Sequence, residues 1–297
     1  MELSYQHEYH FGNFADLQKH ICLCEILNYL TKKDKPLTII DTHAGAGLFN
    51  LKDERALKTG EAEEGIIKLY NLSKDMNIPF PKSVKDYLLL EAPYIEKNLY
   101  AGSPQLERHF LREKDTHFVI EKHPQVIEDL KSNSQKNLLV KNENSVDEIA
   151  PASKTNVLYK DSFEALNSLV PPLVKRGLIL CDPSYEDAED YQAVTKALIQ
   201  AHKKWNTAVI ALWYPLISRR KNETSQMLSS LENAAKMNLN PCESFRLEMI
   251  IKDSSELTEE KGSHLYGSGM FVINPPYTLK ESLEKSSRFI EKLYKLF

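Results

Sequence analysis

Leu37-Thr38-Ile39-Ile40-Asp41, running directly into Thr42-His43-Ala44-Gly45-Ala46-Gly47, is the stretch that orders the rest of the chain. Four apolar or β-branched residues end in an acid, and two glycines follow. Pro36 separates this run from residues 14–32, where Leu17, Ile21, Cys24, Ile26 and Leu27 recur near helical spacing. The reading is an amphipathic helix, a buried strand, and a glycine turn on which backbone can approach a ligand closely.

Similar strand candidates recur downstream at 116–121, 156–161, 177–182, 207–213, 244–250 and 269–274, making seven in all. Helical segments at 123–134, 162–170 and 189–205 separate the first five. Short, nearly all-apolar strands alternating with helices predict a mostly parallel sheet covered on both faces, an α/β fold. Residues 50–112 break the alternation. They hold Pro79, Pro81, Pro93 and Pro104, with helical pieces near 61–74 and 82–97. We expect a small helical insertion there, lying over the crevice. The division is then residues 1–49 as an N-terminal segment and the start of the main domain, 50–112 as the insertion, and 113–297 as the remainder.

Asp41, Glu121, Asp161 and Asp182 stand at or beside the ends of the first four strands. One such acid is ordinarily a helix cap. Four together point to the ligand crevice at the carboxyl edge of an open α/β sheet. The glycine turn lacks both G-x-G-x-x-G and a following Lys-Ser/Thr, so it does not read as a pyrophosphate or phosphate loop. S-adenosylmethionine, an amino acid joined to a nucleoside with no phosphate, fits this turn. Glu121 is placed to accept from ribose hydroxyls, and Asp161 from an adenine amino group.

Asp182-Pro183-Ser184-Tyr185 follows the fourth strand. An adenine amine is a weak nucleophile because its lone pair is shared with the ring. Two acceptors that take its protons make it competent. Asp182 supplies a carboxylate and Pro183 a carbonyl, while Tyr185 can stack on an extruded base. Asn274-Pro275-Pro276-Tyr277 is a second copy of the pattern. If the last strand runs antiparallel beside the fifth, that copy lies on the opposite edge of the sheet, where it is a strand-terminating turn.

The formal net charge of −4 argues against a protein that coats nucleic acid but leaves room for local basic patches. Candidates are Lys32, Lys33 and Lys35; Lys203 and Lys204; and Arg219, Arg220 and Lys221. No apolar run approaches the roughly 20 residues of a membrane helix. No spaced His/Cys set suggests a metal. The four cysteines form no CxxC pair, which suits a reducing, cytoplasmic setting.

The chain resembles the 23S ribosomal RNA adenine-N6 methyltransferases of the RlmJ type. The resemblance is carried in order by Leu3-Ser4-Tyr5, Gly12-Asn13, Ala15-Asp16, Lys19-His20, the glycine turn 41–47, Thr59-Gly60-Glu61 and Gly102-Ser103-Pro104. It continues through Glu121, His123-Pro124, Arg176-Gly177, Asp182-Pro183, Asp190-Tyr191 and Ala211-Leu212-Trp213-Tyr214-Pro215. It implies a Rossmann-like class I methyltransferase, seven-stranded and mostly parallel with an antiparallel last strand, in a bacterial cytoplasm. It implies S-adenosylmethionine held by His20, His43, Gly45, Ser103, Glu121, Asp161, Ser162 and Asp182. It further implies catalysis at Asp182, Pro183 and Tyr185, with Tyr5, Lys19 and Tyr185 toward the RNA. The partner would be 23S rRNA, naked or in an assembly intermediate, with no membrane and no metal. Where the family usually carries a second Pro and a Gly, this chain has Ser184 and Ser162. An adenine-N6 DNA methyltransferase shares the constellation, and a non-enzymatic protein linked to use of external DNA is a further alternative.

Overall fold

The computed structural model describes residues 10–143, 145–237, 241–252 and 265–295. Helix α1 (Phe14–Thr31) begins where the Asn13 side chain accepts the amides of Ala15 and Asp16. Strand β1 (Thr38–Asp41) follows, then β2 (Leu48–Asn50), α2 (Glu54–Thr59), a π-helical turn (Glu63–Ile67), α3 (Lys68–Leu72) and α4 (Lys82–Glu96). Next come β3 (Leu99–Ala101), α5 (Ser103–Phe110), β4 (Thr116–Glu121), α6 (Val126–Asn133) and the hairpin of β5 (Leu138–Lys141) and β6 (Val146–Ile149). The chain continues through β7 (Thr155–Tyr159), α7 (Ser162–Leu169), β8 (Gly177–Cys181), α8 (Ala188–Lys204) and β9 (Val209–Ile217). It closes with α9 (Lys221–Met237), β10 (Ser244–Ile250), β11 (Leu265–Ile273) and α10 (Leu279–Lys295). Among the described residues no helix is long and apolar enough to cross a membrane.

Seven strands form one sheet in the order β10-β11-β9-β8-β1-β4-β7. The five from β9 to β7 are parallel neighbours, and β11 runs antiparallel to both β9 and β10. This is the expected mostly parallel sheet with an antiparallel last strand. Strand period explains the two-faced core. Ile39, Leu178, Leu180, Val209 and Ala211 pack on the side of α1, α4 and α10. Their neighbours Ile40, Ile179, Cys181, Ile210 and Leu212 pack on the side of α7, α8 and α9.

The insertion is not a detached cap. Ile66, Leu69, Val84, Tyr87 and Tyr94 join the same core as Ile21, Leu23 and Leu27 of α1. The short ladder of β2 and β3 pins its two ends together, pairing Leu48 with Ala101 and Asn50 with Leu99. The hairpin of β5 and β6 and the helices α9 and α10 were not anticipated from the residues. Chain order reverses between β1 and β8, so their carboxyl ends lie side by side: the Thr42 amide donates to the Leu180 carbonyl at 3.0 Å. That topological switch point is where open α/β sheets bind ligands.

Candidate active site

The glycine turn is built by backbone conformation. Gly45 has φ 59° and Gly47 φ 73°, left-handed values that side chains disfavour. Glu121, at the end of β4, fastens this turn. Its Oε2 accepts the Gly45 amide at 3.0 Å and its Oε1 accepts the His123 amide at 2.7 Å. Each oxygen keeps a further lone-pair direction for a ligand hydroxyl. Asp41, at the end of β1, is wholly buried. Its Oδ2 accepts from Ser103 Oγ at 2.6 Å and its Oδ1 from the His43 amide at 3.1 Å. Burial, reinforced by the nearby Glu107, pushes the Asp41 carboxyl up to about 8, against those two hydrogen bonds. His43 goes the other way, to about 3, because burial and the charge of Lys122 both disfavour its imidazolium.

The first helix closes the site from the other side. Lys19 Nζ donates to Asp182 Oδ2 at 2.5 Å and lies 2.7 Å from Asp16 Oδ1. Burial opposes the ammonium, yet the two carboxylates outweigh it and hold the Lys19 pKa above the ordinary lysine value. Asp16 Oδ2 also accepts the Gly12 amide at 2.7 Å. One turn along, His20 Nδ1 is 2.8 Å from the Tyr100 hydroxyl of β3. Helical spacing therefore puts Asp16, Lys19 and His20 on the one face of α1 that meets the crevice.

Together these groups enclose a cavity of about 390 Å³. The structure brings Lys19, His20, His43, Gly45, Ser103, Glu121, Ser162, Asp182 and Pro183 to its wall. Tyr5 lies outside the described residues.

Three expected site residues meet other groups of the protein. Asp161 is not on the wall. Its Oδ1 accepts the amides of Phe163 and Glu164 as the N-cap of α7, and its Oδ2 is 3.9 Å from Lys122 Nζ. Asp161 caps because α7 starts one residue later and its first amides need an acceptor. Tyr185 does not offer its ring to the cavity. It is 4% exposed, donates to the Trp213 carbonyl at 3.1 Å, and its ring centroid is 4.6 Å from that of Tyr191. A backbone φ of 50° turns it into the core. Lys19 does not present a free ammonium to RNA; it is the partner of Asp182.

Residue reading alone passed over several wall residues: Asn13, Asp16, Phe49, Glu61, Trp213 and Pro215. Trp213 is an aromatic on the wall beside Asp182-Pro183, and its Nε1 has no hydrogen-bond partner among the described residues. A signal for Asp16 was present. Asp16, Gln18, Lys19 and His20 are four buried polar residues in a helix otherwise rich in buried apolar ones. Buried charge in such a helix demands a partner. The second amine-binding pattern is off the site, since β11 delivers Asn274 to the opposite edge, against the carbonyls of Asn206 and Ala208.

The model of the family described as "Ribosomal RNA large subunit methyltransferase D, RlmJ" matches residues 34–295. The "Ribosomal RNA large subunit methyltransferase J" of Escherichia coli (strain K12) is 34% identical over 284 residues, covering 95% of this chain and 90% of its own. Its namesake from Haemophilus influenzae is 32% identical over 292 residues, covering 98% and 93%. A crystal structure of a protein from Legionella pneumophila superposes with a TM-score of 0.76 at 30% identity, covering 96% of this chain and 94% of that one.

Proposed function

The chain belongs to the RlmJ family of ribosomal RNA large subunit methyltransferases, and from that premise we propose that it methylates the N6 amine of one adenine in 23S rRNA, using S-adenosylmethionine. The observation that carries this reading is the position of Asp182-Pro183 on the cavity wall, at the switch between β1 and β8 and beside the glycine turn.

The wall suits the cofactor. Gly45 exposes backbone without a side chain, the Glu121 carboxylate is an acceptor for hydroxyls, and His20, His43, Ser103 and Ser162 add short polar groups. When bound, S-adenosylmethionine supplies a methyl group activated on a sulfonium. The work of this chain is positioning and charge placement. Lys19 occupies Asp182 Oδ2. Oδ1 then remains to accept one amine proton, and the Pro183 carbonyl accepts the other. Two acceptors pull the nitrogen lone pair out of conjugation and aim it. Fixing Asp182 with a buried ammonium also holds its carboxylate in one rotamer. Trp213 offers a face to the base. The insertion at 50–112, carried within the methyltransferase domain, closes the cofactor end through Glu61 and Ser103.

The test is transfer of labelled methyl to unmodified 23S rRNA transcript, with base-resolution mapping of the product, and Asp182→Ala in parallel. Wild-type transfer to one adenine, and a fall of at least about 10²-fold in the variant, is expected for loss of a positioned acceptor. Transfer to duplex DNA in preference to RNA favours the DNA reading. Wild-type rate in Asp182→Ala overturns the assigned acceptor.

A further inference from the structure

The edge of the sheet opposite the cavity gathers charge for which the proposed chemistry has no use. There the starts of five parallel strands lie in the order β9, β8, β1, β4, β7. The loops entering them are tied to one another by side chains. Arg112 donates to the carbonyls of Lys33 at 3.0 Å and Lys35 at 2.8 Å. Arg176 donates to the carbonyls of Lys35 and Leu30. Ser153 Oγ donates to the Asp115 carbonyl at 2.9 Å, and Thr207 Oγ1 to the Lys175 carbonyl at 2.7 Å.

Lysines from three loops and the end of α8 therefore share one edge. Lys33, Lys35, Lys154 and Lys175 are all exposed, and Lys203 and Lys204 join them from the end of α8. The acids of these loops offset little of this: Asp34 pairs with Lys114, and Asp115 is buried against Arg112. Glu113 is exposed. In a chain of net charge −4 this is a marked concentration of positive charge. The negative ends of α1 and α8 account for Lys33, Lys203 and Lys204 as helix partners. They do not account for Lys35, Lys154 or Lys175, which stand in loops between elements.

The antiparallel course of β11 adds an aromatic group. It brings Asn274-Pro275-Pro276-Tyr277 to this edge, where Asn274 Nδ2 donates to the carbonyls of Asn206 and Ala208, both at 2.8 Å. Those carbonyls belong to the loop that follows Lys203 and Lys204. Tyr277 is 94% exposed. Aromatic faces interleaved with lysines are the elements of sequence-tolerant single-strand binding.

We propose that this edge is a second RNA-docking surface, whose lysines hold backbone phosphates and whose Tyr277 stacks on an unpaired base. It rests on the reading of an RNA substrate above. Strand β4, with its six residues, puts the two edges about 20 Å apart at roughly 3.3 Å per residue. A short hairpin holding only the target adenine fills the cavity without reaching the far edge. A long folded transcript reaches both.

The experiment compares wild type with a Lys33→Gln, Lys35→Gln, Lys175→Gln, Lys203→Gln variant and with Tyr277→Ala. Binding and methylation are measured on a transcript of several hundred nucleotides and on a short hairpin, over a range of salt. On the long transcript the lysine variant is expected to bind at least tenfold more weakly. The slope of log affinity against log salt falls by about 3, at roughly 0.7–0.9 per phosphate contact. Tyr277→Ala weakens long-transcript binding about fivefold or more with the slope unchanged, because stacking releases no counterions. On the hairpin both variants match wild type, and kcat is unchanged throughout. Equal affinity and slope on the long transcript, or equal loss on both RNAs, overturns the surface. A wild type that methylates neither RNA, while the variants still lose long-transcript binding, overturns the substrate reading and leaves the surface standing.

Discussion

Lys19 Nζ lies 2.5 Å from Asp182 Oδ2, joining the first helix to the turn after β8 across 163 residues of sequence. With Asp16 on its other side, Lys19 is the cation between two carboxylates, and all three side chains are at most 16% exposed. Removing one member of a buried charge group strands the others without compensation.

Lys19→Met is therefore expected to lower stability by about 3–5 kcal/mol. Methyl transfer falls as well, because Asp182 loses the contact that orients it. Urea unfolding and single-turnover kinetics measure the two effects separately. Adding Asp16→Asn to Lys19→Met is expected to recover part of the stability but not the rate, since Asp182 still lacks its partner. Recovery of both shows that the ammonium serves only the fold.

Trp213, not Tyr185, faces the cavity. Trp213→Leu should raise KM for RNA about 5- to 150-fold, the range of 1–3 kcal/mol for one stacked base. Tyr185→Phe should leave KM and kcat near wild type. It should cost about 1 kcal/mol of stability, since the Trp213 carbonyl loses a donor. The reverse pattern in steady-state kinetics shows that Tyr185 leaves the core to meet the base.

Asp41 makes stability fall with rising pH. Its folded pKa of about 8 lies above the unfolded value near 4. The folded protein thus holds a proton that the unfolded chain has lost. That contribution is complete below about pH 4 and disappears as pH rises through 8. Asp41→Asn removes the titration while keeping groups able to meet Ser103 and the His43 amide. The variant should gain on wild type by up to about 1.4 kcal/mol per pH unit inside that window. Urea unfolding of both proteins at several pH values from 5 to 8 measures the gap; parallel curves reject the shift.

Gly65 in the π-helical turn supports the site from outside. A Cβ there falls 2.0 Å from the Gly12 carbonyl oxygen, which also accepts the Ile66 amide at 2.9 Å. Gly65→Ala should cost about 1–3 kcal/mol through overpacking. It should also lower kcat, since Gly12 and Asn13 set the start of the helix that carries Lys19. Thermal unfolding and kcat are the readouts, and an unchanged kcat uncouples the insertion from catalysis.

The residues alone determined the strand and helix alternation, the parallel sheet, the glycine turn and the acids at strand ends. Those features repeat with the period of the backbone, two in a strand and 3.6 in a helix, so neighbours in sequence report them. The antiparallel last strand was implied by the family resemblance, and its course puts Asn274–Tyr277 on the far edge from Asp182–Tyr185. The partnership of Lys19 with Asp182, the turning inward of Tyr185, the cap at Asp161 and the gathering of lysines from three loops and the end of α8 were decided only by the tertiary structure. Each depends on which distant surfaces pack together and which buried polar groups then find partners, and no local periodicity encodes that choice.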